Sequence, residues 1–217
     1  MGDIFREVDE DLRRERLERL WKRYGKFVIT AAVLVVVGVG GWKIWTSQQR
    51  SRHLAEGMKF YNAELLLKQG KVKEADTAFA AIADEDSSGY GILARFNAAS
   101  IRADAGDAKA AISIYDALAA DDSAPASLRN LALILGGLQG LKVKSIDEAA
   151  IDAKLKPLTV AGNAYRFIAL EILAAAAQRA GDSAKAIKLY KQIVDDADAP
   201  VGIRSRASQM VNILGAS

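Results

Sequence analysis

Apolar residues recur at spacings of three and four positions from residue 46 onward, a period that predicts α-helices along this whole part of the chain. Within that pattern one motif occurs three times: a glycine, an alanine five positions later and an aromatic residue nine positions later. The motif glycines are Gly70, Gly106 and Gly181, at offsets of 36 and 75 residues. Because 75 is close to two units of roughly 37 residues, we expect a weaker copy over residues 140–158.

Each copy of the motif is typical of a helical hairpin. Glycine can adopt the left-handed conformation that ends a first helix, and the aspartate after Gly106 or Gly181 can cap the second helix. The alanine lets the two helices approach closely, and the aromatic residue fills the groove between neighbouring hairpins. The predicted packing residues are Ala75, Phe79, Ala111, Tyr115, Ala186 and Tyr190. The motif resembles the tetratricopeptide-type repeat, although the tryptophan and tyrosine of that repeat's first helix are missing.

The positions of the motif predict where each helix begins and ends. First helices are predicted near 49–68, 88–105, 125–139 and 161–180, second helices near 71–84, 107–120, 146–155 and 182–196, and a closing helix at 200–214. Pro125 and Pro200 suit first-turn positions, each two residues after a polar candidate cap, Ser123 or Asp198.

The amino-terminal part has a different pattern. Residues 27–42 carry no charge, and the apolar run is completed at Trp45 if Lys43 extends its ammonium group toward the lipid headgroups. A bilayer core about 30 Å thick needs roughly 20 helical residues, so the run is long enough to span it. Aromatic residues that favour membrane interfaces flank the run, and Phe27, Trp42, Lys43 and Trp45 are its predicted boundary residues. The predicted fold is therefore all-α, a transmembrane helix followed by a tetratricopeptide-like solenoid.

Basic residues predict the orientation of this helix. Seven lie in the 20 positions before Phe27 and three in the 20 positions after Trp45, so the amino terminus should stay in the cytoplasm. The predicted organisation is a charged cytoplasmic tail at 1–26, a transmembrane helix at 27–45 and a repeat domain at 46–217. In a bacterial inner membrane, that repeat domain would lie in the periplasm.

Composition excludes several kinds of chemistry. The chain has no cysteine and one histidine, His53, so thiolate catalysis, zinc fingers and multi-histidine metal sites are excluded and no cofactor is expected. From residue 46 onward there are 21 basic and 20 acidic residues, and this balance does not favour nucleic-acid binding. Acidic clusters occur at 84–86, 121–122 and 195–196, and caps or solvated turns explain them better than calcium ligation does.

Solenoids of this kind usually bind partners on the concave surface formed by their first helices. Counting back from each motif glycine gives candidate protein-binding residues at Phe60, Glu64, Phe96, Ser100, Glu171 and Gln178. The set mixes aromatic and polar side chains and includes no basic residue, so it differs from a clamp for carboxylates. Such a mixture suits extended or partly unfolded chains.

The sequence Gly41-Trp42-x2-Trp45-x-Ser47-x-Gln49, after a short charged tail and before degenerate helical repeats, resembles the YfgM-type family of ancillary subunits of the SecYEG translocon. This resemblance implies a non-enzymatic inner-membrane protein with a periplasmic repeat domain. Its implied partners are the translocon, a membrane-anchored chaperone of the PpiD type and emerging secretory proteins.

Two other functions stay open at this point. The repeat domain could act as an envelope-assembly or division coordinator that links the inner membrane to other machinery. The least favoured hypothesis is an enzyme that uses a pair of carboxylates as acid and base. The acidic pairs lie at repeat turns, and they do not come from separate helices that meet at one pocket.

Overall fold

The computed structural model describes residues 3–85 and 89–216, and at 3–20, 28, 31–33 and 52 it describes the backbone alone. These residues form α-helices joined by short turns, with no strand among them. The helices are α1 Asp3–Lys68, α2 Val72–Glu85, α3 Gly89–Asp104, α4 Ala108–Ala119, α5 Ala126–Gly140, α6 Glu148–Leu155, α7 Arg166–Arg179, α8 Ser183–Val194 and α9 Val201–Gly215. A single 3-10 turn at Lys156–Thr159 follows α6.

The chain divides into two compact units, Met1–Ala55 and Glu56–Ser217. The first unit is the long amino-terminal part of α1, and its described apolar side chains are exposed. Phe27 is 72% exposed, and the rings of Trp42 and Trp45 lie 5.9 Å apart on the helix surface beside the exposed Lys43. Within the part of the chain that the structure describes, no helix combines the length and the apolar character needed to cross a membrane.

The second unit is a stack of four helical hairpins closed by α9. The hairpins pair the end of α1 with α2, α3 with α4, α5 with α6, and α7 with α8, and each packs on the next. The structure thus confirms the predicted all-helical, tetratricopeptide-like repeats. The third hairpin has the shortest second helix, eight residues, as expected for the weakest copy of the motif.

The turn between the two helices of a hairpin follows the predicted chemistry. Gly70, Gly106 and Gly181 have φ values of 76°, 84° and 86°, the left-handed region that glycine enters without steric cost. The carboxylates of Asp107 and Asp182 then accept hydrogen bonds from backbone N–H groups three residues on, at 3.0 and 2.9 Å. Glycine and aspartate together therefore set the sharp reversal in the second and fourth hairpins.

Small residues from both helices meet inside three of the hairpins. The motif alanines Ala75, Ala111 and Ala186 are fully buried, as are alanines seven positions before each motif glycine, at Ala63, Ala99 and Ala174. The aromatic residues Phe79, Tyr115 and Tyr190 are at most 3% exposed and lie in the same apolar clusters. The second alanine of each pair is a packing position that the motif had not indicated.

The third hairpin reverses which helix supplies the small residue. Ile151 and Leu155 of α6, spaced like the alanine and the aromatic residue of the motif, are both buried. The space for them comes from α5: a Cβ built at Gly137 would lie 2.8 Å from Leu155 Cδ1, and one at Gly140 would lie 3.4 Å from Ile151 Cγ1. This exchange explains why the motif is hard to see between residues 140 and 158.

Three details of the predicted boundaries are wrong. No helix begins near residue 49, because residues 46–48 contain neither glycine nor proline and α1 runs unbroken from Asp3 to Lys68. α7 begins at Arg166 and not near residue 161, because Gly162 has a φ of 83° and the Asn163 side chain accepts the backbone N–H of Tyr165. Ser123 and Asp198 do not cap α5 and α9. Pro125 and Pro200 themselves occupy the capping positions, in extended conformation and without a side-chain cap.

Candidate protein-binding surface

The six predicted binding residues lie on three helices, α1, α3 and α7. Phe60 and Phe96 are half-buried, and their ring centroids lie 5.5 Å from Phe79 and 6.0 Å from Tyr115. Each phenylalanine therefore packs against the aromatic residue of its own hairpin. No hydrogen bond, ion pair or ring contact joins any two of the six within the described structure.

The polar members of the set differ in what they contact. Ser100 and Gln178 are exposed, whereas Glu64 is half-buried. Both carboxylate oxygens of Glu171 accept hydrogen bonds from the Arg206 guanidinium of α9, at 2.8 and 2.9 Å. Hydrogen bonding to Glu171 and its charge raise the pKa of Arg206. Glu171 thus links α7 to the closing helix α9. Of the six predicted binding residues, Ser100 and Gln178 are the ones whose side chains are exposed to a partner.

Tyr115 and Tyr190 each experience the charge of an acidic side chain on the first helix of the same hairpin. Burial raises the pKa of Tyr115 and of Tyr190, and the negative charges of Asp104 and Glu171, respectively, raise them further. Both phenols are therefore neutral at physiological pH. Their rings add buried aromatic packing to the stack.

The acidic turns have a structural role that the sequence had only partly indicated. Asp121 accepts hydrogen bonds from the N–H and hydroxyl of Ser123 and pairs with Arg95 at 2.7 Å. Asp196 accepts a hydrogen bond from the backbone N–H of Asp198 and pairs with Arg166 at 2.8 Å. The hydrogen bonds from Ser123, followed by the Arg95 contact, lower the pKa of Asp121 to about 2.

Each of the two acidic turns also contacts a second arginine of its own. Arg129 donates to the carbonyl of Ala124 at 3.3 Å, and Arg204 donates to the carbonyl of Ala199 at 2.7 Å. Asp121, Pro125 and Arg129 recur 75 residues later as Asp196, Pro200 and Arg204, a spacing that would have revealed these joints in the sequence. Of the third acidic cluster, at 84–86, the structure describes Asp84 and Glu85, and Asp86 lies outside the described residues.

The described residues contain no group of three or more histidine, cysteine or acidic side chains arranged to hold a metal ion. His53 is exposed on the amino-terminal part of α1. The exposed Ser100 on α3 and Gln178 on α7, together with the half-buried Phe96 on α3, combine polar groups with an aromatic ring. Such a combination suits contact with another protein chain.

Comparison with known families agrees with this architecture. Residues 18–199 match the family described as the tetratricopeptide repeat-like domain. Neither the search of curated proteins nor that of solved structures gives a significant match. Since the matched segment covers most of the 217 residues, the chain belongs to the tetratricopeptide repeat-like domain family.

Proposed function

We propose that this protein is a non-enzymatic, membrane-anchored scaffold that binds other proteins through its helical repeats. The observation that carries the proposal is the family match over residues 18–199, since helical solenoids present extended surfaces that bind protein chains. The mixed polar and aromatic surface around Ser100 and Gln178 supports protein contact through the first helices. It does not suggest a nucleic acid as the ligand.

The proposed anchor is the segment 27–45. Its support is the uncharged run itself, the tryptophans at its end and the excess of basic residues before it. Leu34, Val35, Val36, Val37 and Val39 are each between 62% and 70% exposed on α1, and a lipid environment would bury such side chains. In this proposal the amino terminus stays in the cytoplasm and the repeats lie in the periplasm of a bacterial cell.

The proposed task is to assist protein export. The resemblance of residues 41–49 to the membrane exit of the YfgM-type family supports association with the SecYEG translocon and with a PpiD-type chaperone. A scaffold at this place would help pass emerging secretory proteins to periplasmic folding factors.

Photocrosslinking in intact cells tests this proposal. A photoreactive residue would replace Ser100 or Gln178, which are exposed and outside the apolar clusters. Lys188, exposed on the second helix α8, would be the matched control. We expect translocon subunits, a periplasmic chaperone or secretory chains at Ser100 and Gln178 and a much lower yield at Lys188. Cytoplasmic partners would contradict the orientation. Cell-wall synthases or outer-membrane assembly factors would contradict the export role and favour an envelope-assembly coordinator.

A further inference from the structure

The first hairpin exposes an apolar face that no described residue covers. Met58, Tyr61 and Leu65 of α1 are 60%, 55% and 40% exposed, and Val72 at the start of α2 is 43% exposed. The spacing of the first three puts them on one side of α1, opposite Phe60, Ala63 and Leu67, which pack inside the hairpin. We name Met58, Tyr61, Leu65 and Val72 the amino-terminal edge face.

The corresponding positions in the second hairpin form the contact between repeats. Met58 and Leu65 correspond, 36 residues later, to Ala94 and Ile101, which are 0% and 6% exposed. Ala94 and Ile101 are buried in one apolar cluster with Phe79 and Ile82 of α2. A preceding helix therefore covers this side of α3. The amino-terminal edge face is the same kind of surface, without a preceding helix among the described residues.

Ion pairs between repeats all have the same direction. Among the described side chains, the basic residue always comes from the later repeat or closing helix and the acidic residue from the earlier repeat. The pairs are Arg102–Asp76 at 2.6 Å, Arg129–Asp122 at 3.4 Å, Lys154–Asp116 at 2.6 Å, Lys185–Glu148 at 2.5 Å and Arg206–Glu171 at 2.8 Å. In each of these pairs the later element thus presents a basic group to the repeat before it.

The first hairpin carries exposed basic residues beside the amino-terminal edge face. Lys68, Lys71 and Lys73 lie where α1 turns into α2, and none of them forms an ion pair within the described residues. A second copy of the chain fits the face poorly. Its closing helix α9 contains no aspartate or glutamate, and two edge faces placed against each other would bring the lysines together.

We propose that the amino-terminal edge face binds an amphipathic α-helix of another protein. That helix would present aromatic or branched apolar side chains, as α2 presents Phe79 and Ile82 to α3. It would also carry acidic residues beside the turn that holds Lys68, Lys71 and Lys73. The bound helix would extend the stack by one layer, at a surface separate from the one around Ser100 and Gln178. The inference requires only a protein partner and does not depend on the translocon.

Mapped photocrosslinking of the full-length chain in cells tests the proposal. A photoreactive residue would replace Met58, Tyr61 or Leu65, and Val160, which is 58% exposed in the connection before α7, would serve as the matched apolar control. The crosslinked segment would then be sequenced by mass spectrometry. We expect one acidic, amphipathic helix of an identified protein at all three positions and none of it at Val160.

Charge reversal tests the electrostatic part with the same identified partner in purified form. The combined change Lys68→Glu, Lys71→Glu and Lys73→Glu should weaken its binding about tenfold, since three exposed ion pairs become repulsions. The control reverses Lys142 and Lys144, which are exposed in the third hairpin, and should leave binding unchanged.

Every other outcome contradicts the assignment. Crosslinks to a second copy of this chain would make the face a self-association surface, and crosslinks to lipid alone would make it a membrane contact. The absence of any crosslink above the Val160 yield would leave the face unoccupied. Equal binding by the charge-reversed and wild-type proteins would overturn the role of the lysines.

Discussion

At the scale of single residues, the turns that follow the second and fourth hairpins depend on half-buried charges as well as on apolar packing. Asp121 and Asp196 each link the backbone of a turn to an arginine of the preceding first helix, so one carboxylate fixes two elements. Neither side chain is more than 21% exposed, so water competes little for these contacts. These aspartates therefore stabilise the fold.

This role predicts a pH dependence for stability. The folded state lowers the pKa of Asp121 to about 2, so its stabilising contribution is complete above the unfolded-state pKa near 4 and is lost as the pH falls through about 2. Asp121→Asn keeps an acceptor for Ser123 but removes the charge. We expect a lower urea midpoint than wild type at pH 7 and a difference that shrinks between about pH 4 and 2.

Asp122→Asn is the matched control, because that neighbouring carboxylate is fully exposed and its contact with Arg129 is long, 3.4 Å. Urea titrations at several pH values would measure both variants. A difference between Asp121→Asn and wild type that stays constant down to pH 2 would contradict the assigned role.

A second residue-scale prediction concerns the close contact between α5 and α6. Gly137→Ala would place a Cβ 2.8 Å from Leu155 Cδ1, and the fully buried Leu155 could move only by displacing its packed neighbours. We expect a loss of about 1–2 kcal/mol, because overpacking outweighs the gain in helix propensity. Thermal or urea unfolding would measure it. Gly89→Ala is the control, since a Cβ there meets no atom of the described residues within 4 Å, and an equal loss in both variants would contradict the packing argument.

At the scale of elements, most helix boundaries could be predicted because their signals are local. A glycine with positive φ and an aspartate cap determine where the second and fourth hairpins reverse. The third hairpin was harder to predict, because its small residues moved from the second helix to the first. Glycines on α5 make room for large side chains on α6, and this depends on which residues face each other in the fold. The spacing of apolar residues along the sequence does not show which residues face each other.

The binding surface was less predictable than the fold for a similar reason. Counting back from the motif glycines located the first helices correctly, yet it could not separate side chains that face a neighbour from those that face solvent. Phe60 and Phe96 pack on aromatic rings, and Glu171 pairs with an arginine of α9, which lies 35 positions later in the sequence. Only the tertiary contacts show that Ser100 and Gln178 are more available.

The irregular connection between α5 and α6 gives a prediction at the element scale. The Arg179 guanidinium of α7 donates to the carbonyls of Gly140, Leu141, Val143 and Ile146, which satisfies the end of α5 and the turns after it. A lysine cannot reach four acceptors with one ammonium group. Arg179→Lys should therefore cost about 1–3 kcal/mol in unfolding free energy and speed amide exchange over residues 141–147.

Hydrogen exchange followed by mass spectrometry would locate the effect of Arg179→Lys. Lys144→Gln changes an exposed side chain in the same connection and should alter neither stability nor exchange. Faster exchange confined to α2 and α3 would show that Arg179 does not act on this connection.

At the scale of the whole molecule, the repeat unit behaves as a chain of nearest-neighbour contacts with a direction. The four apolar clusters follow one another along the stack, and the ion pairs between repeats all run from a later base to an earlier acid. Such a stack has two unlike ends. α9 covers the carboxyl-terminal end, whereas the amino-terminal edge face keeps apolar side chains and lysines exposed.

If each repeat is stabilised only by its neighbours, a substitution in α9 should unfold the adjacent helices and leave distant repeats folded. Ala207 of α9 is fully buried and packs in one cluster with Leu170, Tyr190 and Ile193 of the fourth hairpin. Ala207→Glu would bury a carboxylate without a partner, so α9 should detach and the amides of α7 and α8 should exchange faster. The amides of α2 and α3 should keep their exchange rates, because only adjacent repeats share an interface. Ser205→Glu, exposed on the same helix, is the control and should leave every rate unchanged. An equal acceleration in α2 and α8 would instead mean that the whole stack opens as one cooperative unit.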